Sequence, residues 1–286
     1  MSSEPPEQRA ADAFKKQVGE NWVRYETHID HELQPFGQMA MQRLALAAGE
    51  RVLDLGCGSG QTLLELWERV APNGAVLGVD ISEPMLQRAQ QRVSEAGLSR
   101  VELLLGDAAA APFSEATFDA AFSRFGVMFF DDPVAGFAHV RRALTARGRL
   151  AFVCWQAREL NEWVELTLSA VRSVLPELAV PPLMDPNRPG PFFLSDADKV
   201  RRTLQQAGFV SVEIDSVAKE MHFGAAQRVE DAVEFALHIG PVARILTDAD
   251  PALRPAFREA LAAAFAPKLS RAGVWLGAAV HVVLAR

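Results

Sequence analysis

Three glycines at alternate positions, Gly56, Gly58 and Gly60, follow an apolar run that carries one carboxylate, Asp54, in VLDLGCGSG (52–60). Glycines after a strand let backbone N–H groups approach a nucleotide at the start of the next helix. The spacing is not that of a dinucleotide fingerprint, which needs a third glycine where this chain has Gln61. Asp54 would also repel a pyrophosphate at the helix N-terminus, and it suits a ligand that carries positive charge. NAD and a hydride-transfer chemistry are disfavoured on both grounds. Asp80 stands 24 residues beyond Gly56, where an acid accepts hydrogen bonds from ribose hydroxyls. Asp107 in GDAAAAPF can meet the amino group of an adenine, and Ser123 closes the next apolar run. A single acid at the end of a strand is ordinary turn chemistry. The ordered set of Asp54, Asp80, Asp107 and Ser123 points instead to a nucleoside site along one edge of a sheet.

The elements that must position these residues alternate from residue 51 onward. RVLDL (51–55), AVLGVD (75–80), VELLLG (101–106), FDAAFS (118–123) and RLAFVCW (149–155) read as strands, and two more are expected at 209–217 and 274–285. Runs rich in Val, Leu and Ala without clean alternation suit strands buried on both faces, hence a mostly parallel, doubly wound α/β sheet of seven strands. QTLLELWERV (61–70) has a helical stripe, Ser82 is placed to cap a helix with Pro84 in its first turn, and another helix opens at DDP (131–133) and closes near Gly148. Residues 1–48 read as a helical cap over the sheet's edge. The α/β domain then runs over 49–286, with cap insertions near 157–195 and 222–272. The proline-rich stretch 176–195 is expected to be a loop.

Composition narrows the chemistry. The chain has 286 residues and a formal net charge of -7, which suits a large single domain and argues against a nucleic-acid partner, whose phosphates need a positive surface. Cys57 and Cys154, the only cysteines, read as buried thiols in a reducing compartment, and no metal site is implied. MSSEPPEQRA lacks the pattern of a signal peptide, and no apolar run is long enough to span a membrane. A cytoplasmic monomer or homodimer is expected.

VLDLGCGSG, GVDIS (78–82), GDAAAAPF, FDAAFSRFGVMFFDDP (118–133) and LTARGRLAFVCW (144–155) together resemble the motifs of the class I S-adenosylmethionine-dependent methyltransferases. The resemblance is closest to the branch of ubiquinone and menaquinone C-methyltransferases, and it covers 50–156 strongly and 190–209 more weakly. It implies a Rossmann-like sheet and S-adenosyl-L-methionine as cofactor. Asp54 would lie near the methionine amino group and Asp80 at the ribose. Ile81 and Met85 would flank the adenine, and Asp107 with Ala108 would meet its edge. Leu144-Thr145-Ala146-Arg147-Gly148 departs from the L-x-P-G-G of many relatives at what is expected to be a turn.

The sulfonium of such a cofactor is already activated, so the protein's task is to orient the reactants. Trp22, Tyr25, Phe125, Phe129 and Phe130 could stabilise the cationic sulfur. If the acceptor must lose a proton, His238 in FALHIGPVAR and His28 are the candidate bases. His139 is expected on a solvated helix face and His281 in a structural role. An N-P-P-Y tetrad is absent after the fourth strand, where Ser123-Arg124-Phe125-Gly126 stands, so a small, partly apolar molecule is the expected substrate. Met221, Phe223, Phe192 and Phe193 could line its pocket, and residues 1–35 could close over the cofactor cleft. A module that binds the cofactor without catalysis is the competing expectation.

Overall fold

The computed structural model describes residues 17–177 and 184–286. Residues 1–16 of the expected cap and 178–183 of the proline-rich stretch lie outside the described residues. Seven strands form one sheet in the order β3-β2-β1-β4-β5-β8-β6. These are β1 (Arg51–Leu55), β2 (Ala75–Asp80), β3 (Val101–Leu105), β4 (Phe118–Arg124), β5 (Leu144–Trp155), β6 (Val212–His222) and β8 (Gly273–Ala285). A two-residue strand β7 (Leu269–Ser270) lies off this path and pairs with the start of β8. The first five strands are parallel, whereas β8 runs antiparallel to both β5 and β6. The doubly wound, mostly parallel architecture expected from the sequence is therefore present.

Helices cover the sheet. After a first helical turn pair α1 (17–24) come α2 (Glu26–Leu44), α3 (Gln61–Val70), α4 (Glu83–Glu95) and α5 (Pro133–Ala143). The later ones are α6 (Glu162–Val174), α7 (Ala197–Gln206), α8 (Val229–His238), α9 (Pro241–Asp248) and α10 (Arg254–Phe265). Helices α6, α8, α9 and α10 pack against one another in the regions where insertions were expected.

Helix α2 does not lie over the edge of the sheet, as the sequence suggested. It crosses β4, β5 and β8. Its Ile29, Leu33, Phe36, Met41 and Leu44 are buried in the common core. Five such side chains contribute up to about 8–15 kcal/mol on burial, comparable to the whole stability of a domain. Helix α2 is structural, and α1 is the part of the described segment that can act as a detachable flap.

Two local expectations change. Helix α5 starts as expected at Asp132, whose side chain accepts from Ala135 N at 3.0 Å, but it ends at Ala143. Residues 144–148 are not a turn after the helix; they belong to β5. Opposite them the register jumps, Phe118 facing Leu144 and Ala120 facing Arg149. Gly148 sits inside that bulge, where a Cβ would lie 2.8 Å from Leu144 Cβ and 3.1 Å from Phe118 O. Second, Ser82 occupies the N-cap position of α4 without capping it by its side chain.

Candidate functional site

Because β3, β2, β1 and β4 are adjacent and parallel, their carboxyl ends form one continuous edge, and the four polar residues come together there. In register, Asp54 of β1 faces Gly78 and Phe122, and Asp80 of β2 faces Leu105. Asp107 follows β3 and bends its own loop, with Oδ1 accepting from Ala109 N at 2.8 Å. The same residue therefore does the turn chemistry and stands at the site.

Asp80 braces the glycine loop. Its Oδ2 accepts from Gly58 N at 2.8 Å and its Oδ1 from Ser82 N at 2.9 Å. Burial raises its pKa and these amides oppose that rise. Gly58 has φ +55, and a Cβ there would crowd Met85 Cε at 3.0 Å. Gly60, at φ +88, backs onto Ala89 of α4, where a Cβ would lie 2.8 Å from Ala89 Cβ. The loop is thus pressed against α4 where a side chain has no room.

Asp54 is fully buried. Its Oδ2 accepts from Thr62 Oγ1 at 2.5 Å, and its Oδ1 has no hydrogen-bond partner among the described residues. Burial pushes its carboxyl up to about 7; the Thr62 hydroxyl and the Arg124 charge pull the other way, and Asp80 and Glu65 add to the rise. A buried carboxylate oxygen without a donor costs several kcal/mol unless a ligand supplies one. An incoming ammonium does so, and the residues present fit the amino-acid end of S-adenosylmethionine. Beside it, Ile81 is 66 % exposed and Leu105 56 %, two apolar side chains at neighbouring strand ends that offer a flat base a surface. Ala108 follows in the same loop and is half-buried.

Ser123 uses its hydroxyl on the backbone. Its hydroxyl donates to Leu55 O at 2.7 Å and accepts from Gly126 N at 3.1 Å, tying the end of β1 to the turn after β4. Phe125 is held at φ +60, stacked on Trp155 with ring centroids 4.2 Å apart, and is 7 % exposed.

The sequence did not reveal the clamp over this edge. Asp30 of α2 pairs with Arg92 of α4 at 2.7 Å and with Arg124 at the end of β4 at 2.9 Å. Glu26 pairs with Arg88 at 2.9 Å and with Arg92 at 3.2 Å. Arg124 also donates to Gln61 Oε1 at 2.6 Å, so the residue that replaces the third glycine of a dinucleotide loop joins the clamp. In α1, Gly19 approaches Ser82 and Pro84 so closely that a Cβ would strike the Ser82 hydroxyl. Helical periodicity marked α2 as amphipathic, but nothing in it told which polar residues would meet Arg88, Arg92 and Arg124.

The candidate bases sit on the far side of α2. Tyr25 Oη lies 3.1 Å from His238 Nδ1, and the same nitrogen lies 2.8 Å from Glu234 O. A carbonyl only accepts, so in the neutral ring the proton sits on Nδ1 and the lone pair on Nε2. Burial raises the pKa of Tyr25, with the Arg24 charge opposing, so it remains a phenol. His28 lies edge-on to Tyr25 at 5.8 Å and stacked on Phe235 at 6.2 Å between centroids. Tyr25, His28, His238 and Phe235 form one cluster. His139 is not on a solvated face: its Nε2 lies 2.7 Å from Ala111 O and its ring stacks on Phe113. His281 bridges Ser216 Oγ and Ser195 O, a structural position as expected.

Beneath that cluster is a cavity of about 30 Å³ lined by Glu32, Trp163, Thr167, Phe223, Phe235, Ala236 and the 239–242 corner. Phe223 lines it, whereas Phe192 and Met221 are packed in the core and Phe193 is buried beneath Lys199 Nζ, none of the three lining it. Glu32 was not singled out in the sequence, because one acid on a helix normally faces water. Among the described residues no group of His, Cys, Asp and Glu is placed to hold a metal, and no helix is long and apolar enough to cross a membrane.

Residues 52–148 match the family described as a methyltransferase domain. The chain is 32% identical over 144 residues to aklanonic acid methyltransferase DauC of Streptomyces sp. (strain C5), an alignment that covers 49% of this chain and 66% of that protein. It is 28% identical over 175 residues to demethylmenaquinone methyltransferase of Listeria monocytogenes serotype 4a (strain HCC23), covering 61% of this chain and 73% of that one. Among solved structures, the YcgJ protein of Bacillus subtilis superposes with a TM-score of 0.57 at 18% identity, over 87% of this chain and 96% of that chain, a likeness of fold. Residues 52–148 thus form a methyltransferase domain, and the chain is similar to the class I S-adenosylmethionine-dependent methyltransferases.

Proposed function

We propose that this protein transfers a methyl group from S-adenosylmethionine to a small, partly apolar molecule held between α2 and helices α6, α8 and α9. The observation that carries the reading is the buried, partnerless Asp54 Oδ1 beside the loop braced by Asp80. When bound, S-adenosylmethionine supplies an electrophilic methyl group on a sulfonium. Asp54 would hold the ammonium end, Asp80 the ribose and Asp107 the base edge, with Ile81, Met85 and Ala108 around it. Gly56, Gly58 and Gly60 allow the backbone to approach. Phe125 is the aromatic face that follows β4 at this end of the sheet, whereas Tyr25 packs with His238 and Phe235, and Ser123 keeps the loop in shape rather than touching the ligand.

His238 is the proposed base. Its Nε2 can accept a proton from an acceptor hydroxyl or activated carbon, while Glu234 O and Tyr25 Oη fix the ring through Nδ1. His28 keeps the neighbouring wall of the cluster polar and is the second imidazole within reach. Residues 1–48 and the helices of 157–195 and 222–272 then form the cap that excludes water. The relatives named above act on an aklanonic acid and on a demethylmenaquinone, both consistent with a substrate of this kind. Two buried free thiols, Cys57 and Cys154, suit a reducing compartment, the cytoplasm.

The direct test is calorimetry with S-adenosylhomocysteine and with NAD, followed by mass spectrometry of small phenols and ketones incubated with the protein and S-adenosylmethionine. Micromolar binding of S-adenosylhomocysteine, none of NAD, and a product heavier by one methylene are expected. Binding without any methylated product across a broad panel would leave the non-catalytic module as the better reading.

A further inference from the structure

Glu32 is out of place by ordinary rules. It lies on the buried side of α2 at 8 % exposure, and the aromatic rings of Trp163, Phe223 and Phe235 share the cavity wall with it. Acidic side chains are almost never buried unless paired. No ion pair to Glu32 exists among the described residues. Its one polar partner is the Gly224 amide, which donates to Oε2 at 2.7 Å. That amide is fixed, because Gly224 has φ +53 and packs so tightly on Phe235 that a Cβ would collide with the ring.

An unpaired carboxylate in such surroundings is costly, and the side chain avoids the cost by keeping its proton. Burial pushes the Glu32 carboxyl up to about 8, against the pull of the Gly224 amide. With Oε2 taken by a donor, the proton belongs on Oε1, the oxygen left for whatever enters the cavity. A neutral carboxyl offers one O–H donor, and it does so here at the inner end of an aromatic box. The cavity of about 30 Å³ has room for at least one water. A ring system needs more, and the space is available if the α8–α9 corner at Ile239-Gly240-Pro241, which forms the outer wall, moves outward.

We propose that Glu32 recognises the substrate by donating a hydrogen bond from Oε1 to a carbonyl oxygen conjugated to an aromatic ring, which lies between Trp163, Phe223 and Phe235. The inference deepens the methyltransferase reading and rests on it, because it names the chemical class admitted to the same cap. It also sets the direction of entry. The carbonyl end points inward to Glu32, and the end to be methylated faces Tyr25 and His238 across Phe235, whose ring contacts both clusters.

The test uses three molecules of one shape: acetophenone, ethylbenzene and α-methylbenzylamine, which end in a ketone, a hydrocarbon and a cation. Calorimetry at neutral pH on the full-length protein saturated with S-adenosylhomocysteine should show acetophenone binding at least about tenfold more tightly than ethylbenzene. Glu32→Gln keeps an acceptor for Gly224 N and a donor for the ketone, so it should retain that preference within about threefold. Glu32→Leu should abolish it. Loss of the preference in Glu32→Gln as complete as in Glu32→Leu would overturn the proposal, because the carboxylate would then be the working form. So would tighter binding of the amine than of the ketone, or no binding of any probe to a protein that binds S-adenosylhomocysteine normally. Failure of S-adenosylhomocysteine itself to bind would strike the methyltransferase reading instead, and the two failures are read in separate titrations.

Discussion

Gly56 and Gly126 meet backbone to backbone: a Cβ on the first would lie 3.0 Å from the second's Cα, and a Cβ on the second 2.6 Å from Leu55 O. Gly126 has φ -87, which any residue adopts, so space alone demands glycine there. Gly126→Ala must push the glycine loop away from β4. The expected result is S-adenosylhomocysteine affinity reduced at least about tenfold with an unchanged far-UV circular dichroism spectrum. An unchanged dissociation constant would show that the loop does not need this contact.

Asp80 has two tasks, and its variants should separate them. Asp80→Ala removes the acceptor of Gly58 N and Ser82 N as well as the ribose clamp. A buried amide left without an acceptor costs about 1–3 kcal/mol, so the melting temperature should fall by several degrees while cofactor affinity falls at least about tenfold. The effect on stability comes from the two backbone amides, which the sequence does not show. Thermal melts and calorimetry on one preparation settle both parts. A variant that binds weakly yet melts like the parent would mean that the two amides find water instead.

Asp54 makes cofactor binding depend on pH with a defined sign. Its folded value of about 7 lies above the ordinary aspartate value of 3.8. Between those two the folded chain holds a proton that the unfolded chain has released, so stability declines as pH rises through the window. An ammonium beside Oδ1 favours the carboxylate and expels that proton. Binding at about pH 6 should therefore release close to one proton, falling toward none well above pH 7. Calorimetry in two buffers of different ionisation enthalpy measures it, and Asp54→Asn should remove the release. Proton uptake, or release unaltered in Asp54→Asn, would contradict the assignment.

The flap must be cut in the right place. Deleting residues 1–35 would take Ile29 and Leu33 out of the core, and the protein should not fold. Deleting 1–24 leaves α2 and its ion pairs intact. That shorter truncation should lose at least about tenfold in turnover while melting within a few degrees of the parent. Hydrogen exchange over 17–24 should slow when S-adenosylhomocysteine binds. Equal exchange with and without it, in a truncated protein of normal activity, would rule out a closing function.

How much of this was visible in the sequence follows from what each residue depends on. Asp54, Asp80 and Asp107 were legible because each ends an apolar run, and parallel strands must bring such ends together. Ser123 was placed correctly but misread, because the sequence cannot tell whether a hydroxyl faces a ligand or the neighbouring strand. His139 was misread for a similar reason: its helix face packs on the Ala111–Phe113 loop, a contact set by tertiary structure. Glu32 and Gly224 are 192 residues apart, and no local pattern links an acid on one helix to an amide after a strand. The helix α6 and the bulge in β5 were missed because apolar helical and strand segments of this length look alike without their neighbours.

The position of β8 has a consequence for how the chain is made. Strand β6 pairs with the sheet only through β8, which is translated after the other described strands, while β1 to β5 need neither of them to pair with one another. On the ribosome the cofactor edge can be built while the other half still ends in an unpaired β5, an open strand edge of the kind chaperones cover. Ribosome-arrested chains stopped before residue 273 should already bind S-adenosylhomocysteine weakly yet be cut readily by protease within 212–222. Protection of that segment before β8 emerges would mean that it finds another partner first.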